Sequence, residues 1–148
     1  MSIDFLYNPK EYEKWCIEDK LYRDKDKPCL IHYYRNGSVQ SVNWHDCESK
    51  NKLDEPVEIE FYPLLHCFTD VSNSETQFGI SKTILGSKQR EVWKTETGIY
   101  RNEDKPAVIE YYRNGNKQRE SWYVNHRLFR TAEYPADGGQ ITHTLFHF

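Results

Sequence analysis

The pentapeptide Tyr33-Tyr34-Arg35-Asn36-Gly37 returns unchanged as Tyr111-Tyr112-Arg113-Asn114-Gly115. It is either one ligand motif presented twice or the visible part of a larger internal repeat, and the flanking residues decide. With the copies held at an offset of 78, residues 15–44 match residues 93–122 at 15 of 30 positions, from Trp15/Trp93 to Trp44/Trp122. Self-similarity on this scale marks a repeat architecture, in which one supersecondary unit recurs and neighbouring units bury each other's apolar faces.

The basic period is shorter. Trp15 to Trp44 and Trp93 to Trp122 each span 29 residues, and Trp44 to Trp93 spans 49, one period plus 20. Gly86-x-Lys88-Gln89-Arg90-Glu91-x-Trp93 recurs 29 residues later as Gly115-x-Lys117-Gln118-Arg119-Glu120-x-Trp122. Leu21-Tyr22-Arg23, Ile99-Tyr100-Arg101 and Leu128-Phe129-Arg130 occupy one position of the unit. Pro28, Pro56, Pro106 and Pro135 open the strand that follows, Pro56 one residue out of register. The expected organisation is a single domain over 1–148, with a half-unit cap at 1–14 and units at 15–43, 44–92, 93–121 and 122–137. An insert at 63–85 interrupts the second unit, and 138–148 forms a divergent C-terminal cap. Terminal units of a stack diverge because they must cover surface that inner units bury on a neighbour.

Residues 106–125 show what one unit folds into. Ala107–Tyr112 is rich in β-branched and aromatic residues and reads as a strand. Asn114-Gly115, like Asn36-Gly37, is a hairpin turn signal, because Asn and Gly accept the positive φ of a tight turn. The chain returns through Lys117–Val124, with Gln118, Glu120 and Trp122 on one face, and a shorter turn at Asn125-His126 leads into Leu128-Phe129-Arg130. One hairpin is marginal in water, so successive hairpins must pair. The expected fold class is all-β, an elongated single twisted sheet of successive antiparallel hairpins. Its core would hold Trp15, Trp44, Trp93, Trp122, Tyr22, Tyr100, Phe129, Ile31, Ile59 and Ile109. Lys10–Lys20 reads as strand in preference to an amphipathic turn, and the insert reads as a long loop with room for its own hairpin.

Composition narrows the function classes. Aromatic residues make up 15% of the chain and charged residues 29%. Mean hydropathy is -0.90, and no run approaches the roughly 20 apolar residues of a membrane span. No basic-then-apolar leader is visible in MSIDFLYNPK, so the expectation is an intracellular, cytoplasmic protein that is not secreted. Cys16, Cys29, Cys47 and Cys67 contain no CxxC pair and are read as reduced, mostly buried thiols, in preference to a disulfide framework. The net charge of -3 divides into -6 over residues 1–79 and +3 over residues 80–148. Such asymmetry suits head-to-tail association or a partner spanning both halves, set against ordinary scatter on a solvated surface.

These residues resemble MORN repeats, the membrane occupation and recognition nexus motif. The Asn-Gly turn, the Glu-x-Trp-Tyr strand at Glu120–Tyr123 and the following turn with a basic residue carry the likeness, which covers most of residues 3–135. The variant is similar to longer MORN-like units with Tyr-Tyr-x-Asn-Gly and Asp-x-Pro-Ala, common in large DNA viruses of amoebae; related units occur in bacterial antitoxin-like proteins. If the source is viral, the host cell or the virion would be the location. The chain departs from the usual pattern in having only seven glycines and in placing Cys47 where Asn125 recurs. The resemblance implies a MORN-like solenoid that binds and does not catalyse, with protein partners, acidic lipids or dimerisation as its uses.

The chemistry weighed against that reading is thin. His45, Cys47, His66 and Cys67 could supply four zinc ligands, but strand and insert separate the pairs, so no metal is expected. His143 and His147 share a strand face with Ile141 and Leu145 and read as a terminal cap. No nucleophile elbow, phosphate-binding loop or zinc-protease motif occurs, and Glu110 and Glu120 recur with the unit, which favours cross-strand pairing over acid–base work. No enzyme activity, cofactor or small-molecule substrate is expected. Since adjacent strand residues face opposite ways, one ring of each Tyr-Tyr pair would be core and the other free for a partner. The candidate binding surface is therefore Tyr33, Tyr34, Tyr111, Tyr112, Arg113, Arg119, Tyr123 and Arg127. A scaffold for a protein partner, or for a second copy, is the leading expectation, with an acidic-lipid (phosphoinositide) module or an antitoxin-like inhibitor as alternatives. The acidic N-terminal half argues against nucleic acid.

Overall fold

The computed structural model describes residues 11–17, 20–21, 27–44, 55–65, 75–95, 98–101 and 104–147. In chain order the strands are β1 (Tyr12–Lys14), β2 (Cys16–Ile17), β3 (Lys20–Leu21), β4 (Leu30–Tyr33), β5 (Val39–Asn43), β6 (Glu58–Phe61), β7 (Thr76–Gln77) and β8 (Ile80–Ser81). They continue as β9 (Lys88–Val92), β10 (Lys94–Thr95), β11 (Gly98–Ile99), β12 (Val108–Tyr111), β13 (Lys117–Val124), β14 (Arg127–Glu133) and β15 (Thr142–Leu145). A single 3-10 turn, Lys82–Ile84, is the only helical element among the described residues. The fold is all-β, built of antiparallel hairpins, as the sequence pattern requires. Among the described residues no helix is long and apolar enough to cross a membrane.

The chain separates into two compact units, Met1–Lys50 with Phe61–Gly86, and Asn51–Glu60 with Ser87–Phe148. In the first, strands run in the order β1-β4-β5, and Lys10–Lys20 contributes strands over its described residues. Ile31, Val39, Val42, Trp44 and Phe61 are fully buried there. The insert is more than a loop. Its β7–β8 hairpin turns on Phe78 and Gly79, both at positive φ (57° and 77°), and sets the Phe78 ring edge-on against Trp44 at 5.1 Å. A bulky residue in the left-handed region is costly on its own. Here that conformation delivers an aromatic lid to a core tryptophan.

In the second unit the order is β6-β9-β12-β13-β14-β15. Val57, Ile59, Val92, Trp93, Ala107, Val108, Ile109, Trp122 and Ala132 form its core. Two of the tryptophans carry the same ornament 29 residues apart: Arg101 lies 3.9 Å over the Trp93 ring and Arg130 lies 3.9 Å over the Trp122 ring. These stacks seal the indoles while keeping the guanidinium near water.

The two YYRNG turns share one geometry, and it differs from a tight turn in which both Asn and Gly take positive φ. Gly37 N donates to Tyr34 O and Gly115 N to Tyr112 O, each at 2.9 Å, while Tyr34 N donates to Ser38 O and Tyr112 N to Asn116 O. Each loop therefore has three residues, Arg-Asn-Gly, closed by the flanking pair, a type I turn with a left-handed bulge residue. Gly37 and Gly115 have φ of 89° and 93°, whereas neither Asn has positive φ. Asn serves through its side chain: Asn36 Oδ1 and Asn114 Oδ1 each accept the N–H two residues on, at 2.9 Å. The register shifts at the corresponding step of both hairpins, His32/Tyr33 and Glu110/Tyr111.

Gly86, which aligns with Gly115 in sequence, does something else. A Cβ there would lie 2.2 Å from the carbonyl oxygen of Tyr62, whereas one on Gly115 would meet nothing within 4 Å. Because the obstacle is backbone, Gly86→Ala should cost about 3 kcal/mol in a denaturant titration; a loss under about 1 kcal/mol would show that the Tyr62 segment yields.

The thiol expectation needs correction. Cys29, 1% exposed, is disulfide-bonded, while Cys16 is a free, exposed thiol. Cys47 and Cys67, with Tyr22, His45, His66 and residues 1–10 of the N-terminal cap, lie outside the described residues. Spacing along a chain says nothing about whether two Cα atoms approach within bonding range, so the pattern was silent on this bond. Iodoacetamide applied to the native, unreduced protein is expected to label Cys16 and leave Cys29 unmodified until a reductant is added. Labelling of Cys29 without reductant would refute the bond.

Candidate functional site

The expected division of each Tyr pair into one core ring and one free ring does not hold. Tyr33, Tyr34, Tyr111 and Tyr112 are all half-buried, and all four hydroxyls are engaged. The first of each pair donates to a carboxylate: Tyr33 to Glu13 and Tyr111 to Glu91. The second donates to a backbone carbonyl, Tyr34 to Phe61 O at 2.7 Å and Tyr112 to Tyr134 O at 2.8 Å. Tyr134 repeats the first contact by donating to Glu120. Glu91 and Glu120 are 7% exposed, and the second oxygen of each takes a lysine, Lys88 at 3.2 Å and Lys117 at 3.1 Å. Burial, reinforced by the hydrogen bond to Glu91, pushes the Tyr111 phenol well above its ordinary range. The hydrogen bond to Glu120, with burial second, pushes Tyr134 up to about 12. The tyrosines tie strands together instead of presenting themselves to a partner.

One basic residue of the candidate surface, Arg119, is likewise committed, as is Arg90 two strands away. In β9–β14 register, Arg90 stands opposite Glu110, Glu110 opposite Arg119, and Arg119 opposite Glu133. Side chains follow: Arg90 lies 3.9 Å from Glu60, and Arg119 lies 3.8 Å from Glu110 and 3.3 Å from Glu133. The result is an alternating row, Glu60-Arg90-Glu110-Arg119-Glu133, across five strands on a half-exposed face. Individually such pairs add little stability. Collectively they cancel the positive potential that a phosphate-bearing ligand needs. At the end of the row Glu110, Tyr112, Arg119, Glu133, Tyr134 and Thr142 line an open concavity of about 250 Å³.

Of the remaining candidates, Arg113 and Arg127 are exposed at turns and Tyr123 is half-buried. Tyr123 joins Tyr100, Trp122 and Phe129 along a second hollow of about 220 Å³. Among the expected core residues Trp44, Trp93, Trp122, Ile31, Ile59 and Ile109 are buried. Trp15, Tyr100 and Phe129 are half-buried instead. Trp15 directly follows β1, the last strand of its order among the described residues, and Tyr100 directly follows the two-stranded β10–β11 ribbon. Among the described residues no group of three or more His, Cys, Asp or Glu could hold a metal ion.

Three of the four exposed large apolar side chains described in the second unit lie on or beside its last strand, Val124 on β13 being the other. Ile141, Leu145 and Phe146 are 45%, 62% and 42% exposed, and every residue of β15 is exposed. Among the described residues β15 pairs only with β14. Phe146 N donates to Phe129 O at 2.8 Å, which fixes the alternation: Thr142 and Thr144 bond inward to β14, and His143 and Leu145 turn their N–H and C=O to the open edge. The strand carries no Lys, Asp, Glu or Pro, the residues that usually guard an edge. Sequence reasoning had grouped His143, His147, Ile141 and Leu145 as a cap; what it missed was that the cap ends on an unguarded edge. No family model, characterised protein or solved structure matches this chain.

Proposed function

We propose that this chain is a non-catalytic MORN-like repeat scaffold, intracellular, whose β surface binds a protein partner. The observation that carries this reading is the unguarded β15 edge, with Ile141 and Leu145 exposed along it, a template for adding a strand from another polypeptide. The repeat character is supported by contacts that recur with the sequence: the Tyr–Glu bonds and register shifts 78 residues apart, and the Arg–Trp stacks 29 apart. The acidic-lipid alternative loses ground because Arg90 and Arg119, the basic residues of the sheet face, already face carboxylates. The test is affinity capture from the native cell with wild type and Leu145→Lys, alongside flotation with phosphoinositide vesicles at two salt concentrations. The scaffold reading expects a polypeptide recovered with wild type and lost with the variant, and no vesicle binding. Salt-sensitive flotation without any captured polypeptide would overturn it in favour of lipid.

A further inference from the structure

The open edge of the second unit has a property of its own sequence. Ile141-Thr142-His143-Thr144-Leu145 reads almost the same in both directions, with His143 at the centre. From this we infer that the partner of the β15 edge is a second copy of β15, paired antiparallel about a two-fold axis through His143; the inference rests on the scaffold reading above.

Three observations converge on that register. The first is backbone polarity. His143 and Leu145 aim their N–H and C=O outward, and strand alternation gives Ile141 the same direction. Two-fold pairing about His143 therefore sets His143 against its mate and Ile141 against the mate's Leu145, all with bonding groups facing each other. The second is the side chains. On the face that carries Trp122 and Arg130, opposite which Leu145 stands, exposed Ile141 would meet exposed Leu145 of the other copy. On the other face, which carries the Glu133 end of the charged row, Thr142 would meet Thr144. Apolar meets apolar and hydroxyl meets hydroxyl, the self-complementarity that an isologous interface demands. The third is the absence of anything repulsive: β15 holds no Lys, Asp, Glu or Pro to block the approach. A heterologous peptide would need none of this symmetry, so the second copy is the occupant the edge specifies.

One strand pair is a small interface, so a dimer with a Kd on the order of 10 µM is expected. Sedimentation velocity over a concentration series of the full chain reads it, against a monomer of 17.8 kDa. Ile141→Glu and Leu145→Lys should each weaken the dimer by about tenfold or more. The double variant Ile141→Glu/Leu145→Lys should restore it, since each new carboxylate then faces a new ammonium across the axis. His143→Pro removes an N–H that points only outward, so it should abolish the dimer while leaving the unfolding transition close to wild type. Wild type that stays monomeric at every concentration overturns the inference, as does a dimer indifferent to both single variants. A dimer that the double variant fails to restore overturns the His143-centred register. A monomeric wild type that still captures a different polypeptide, lost in Leu145→Lys, removes the second copy and leaves the scaffold reading intact; a monomer that captures nothing removes both.

Discussion

Trp122→Ala is expected to lower the free energy of unfolding by about 3–5 kcal/mol, the range for deleting a buried aromatic. Trp122 is 6% exposed and lies at the middle of the second unit, between β12 and β14. Three separate interactions go with it. The indole fills core volume, Arg130 stacks over it at 3.9 Å, and its Nε1 donates to Asp104 O at 2.9 Å. The last bond also holds the turn that precedes Pro106 and β12. Trp93 has the equivalent stack from Arg101, but its buried Nε1 has no acceptor among the described residues. Trp93→Ala should therefore cost about 1 kcal/mol less than Trp122→Ala, the net worth of one hydrogen bond. Trp15→Ala, at a half-buried site, should cost least of the three. Denaturant midpoints at constant slope give the ranking; equal losses at Trp15 and Trp122 would refute the assignment of the core.

Tyr111→Phe is expected to cost about 1.5–3 kcal/mol, because it leaves a buried carboxylate short of a charge-assisted hydrogen bond. Glu91, 7% exposed, would retain only Lys88. Tyr112→Phe removes a neutral bond to Tyr134 O, so it should cost about 1 kcal/mol. Both losses vanish if the Tyr-Tyr pair is a docking surface and not a strand tie, since neither hydroxyl would then matter to folding. Alkali tests the same contacts. A phenol whose folded pKa is raised stabilises the protein fully below its unfolded value of about 10 and loses that contribution as pH rises through the folded value. For Tyr134 the window runs from there to about 12. Stability should be level from neutral pH to the start of that window and fall inside it. Tyr134→Phe should flatten the fall, and the phenolate absorbance lost in Tyr111→Phe and Tyr134→Phe should be absorbance that rises only above the ordinary tyrosine range. A variant as alkali-sensitive as wild type would remove Glu120 as the cause.

Much of this molecule is legible along the chain because its rules are short-range. Alternation of β-branched and aromatic residues forces strands, Gly37 and Gly115 mark where φ must be positive, and the 29-residue spacing of Trp93 and Trp122 predicts their shared Arg stack position. The site was read less well for one reason. A tyrosine at a strand end looks the same whether its hydroxyl meets solvent or a glutamate 20 residues away. Arg119 looks like a free cation until Glu110 and Glu133 are laid beside it in register. The turns suffice to set Arg90, Glu110 and Arg119 side by side across three strands, whereas nothing local to the chain sets Phe78 over Trp44 or forms the bond at Cys29.

Residue order alone specifies the all-β class, the hairpins, the positions of the turns and most of the buried residues, since propensity, turn stereochemistry and hydrophobic period act over a few residues. Which polar groups are spent and which remain available depends on strand register, because a one-residue change of register moves every side chain to the opposite face. That distinction moved the candidate surface from Tyr33, Tyr34, Tyr111 and Tyr112, whose hydroxyls hold the sheet together, to the β15 edge, where His143 and Leu145 direct unpaired backbone outward.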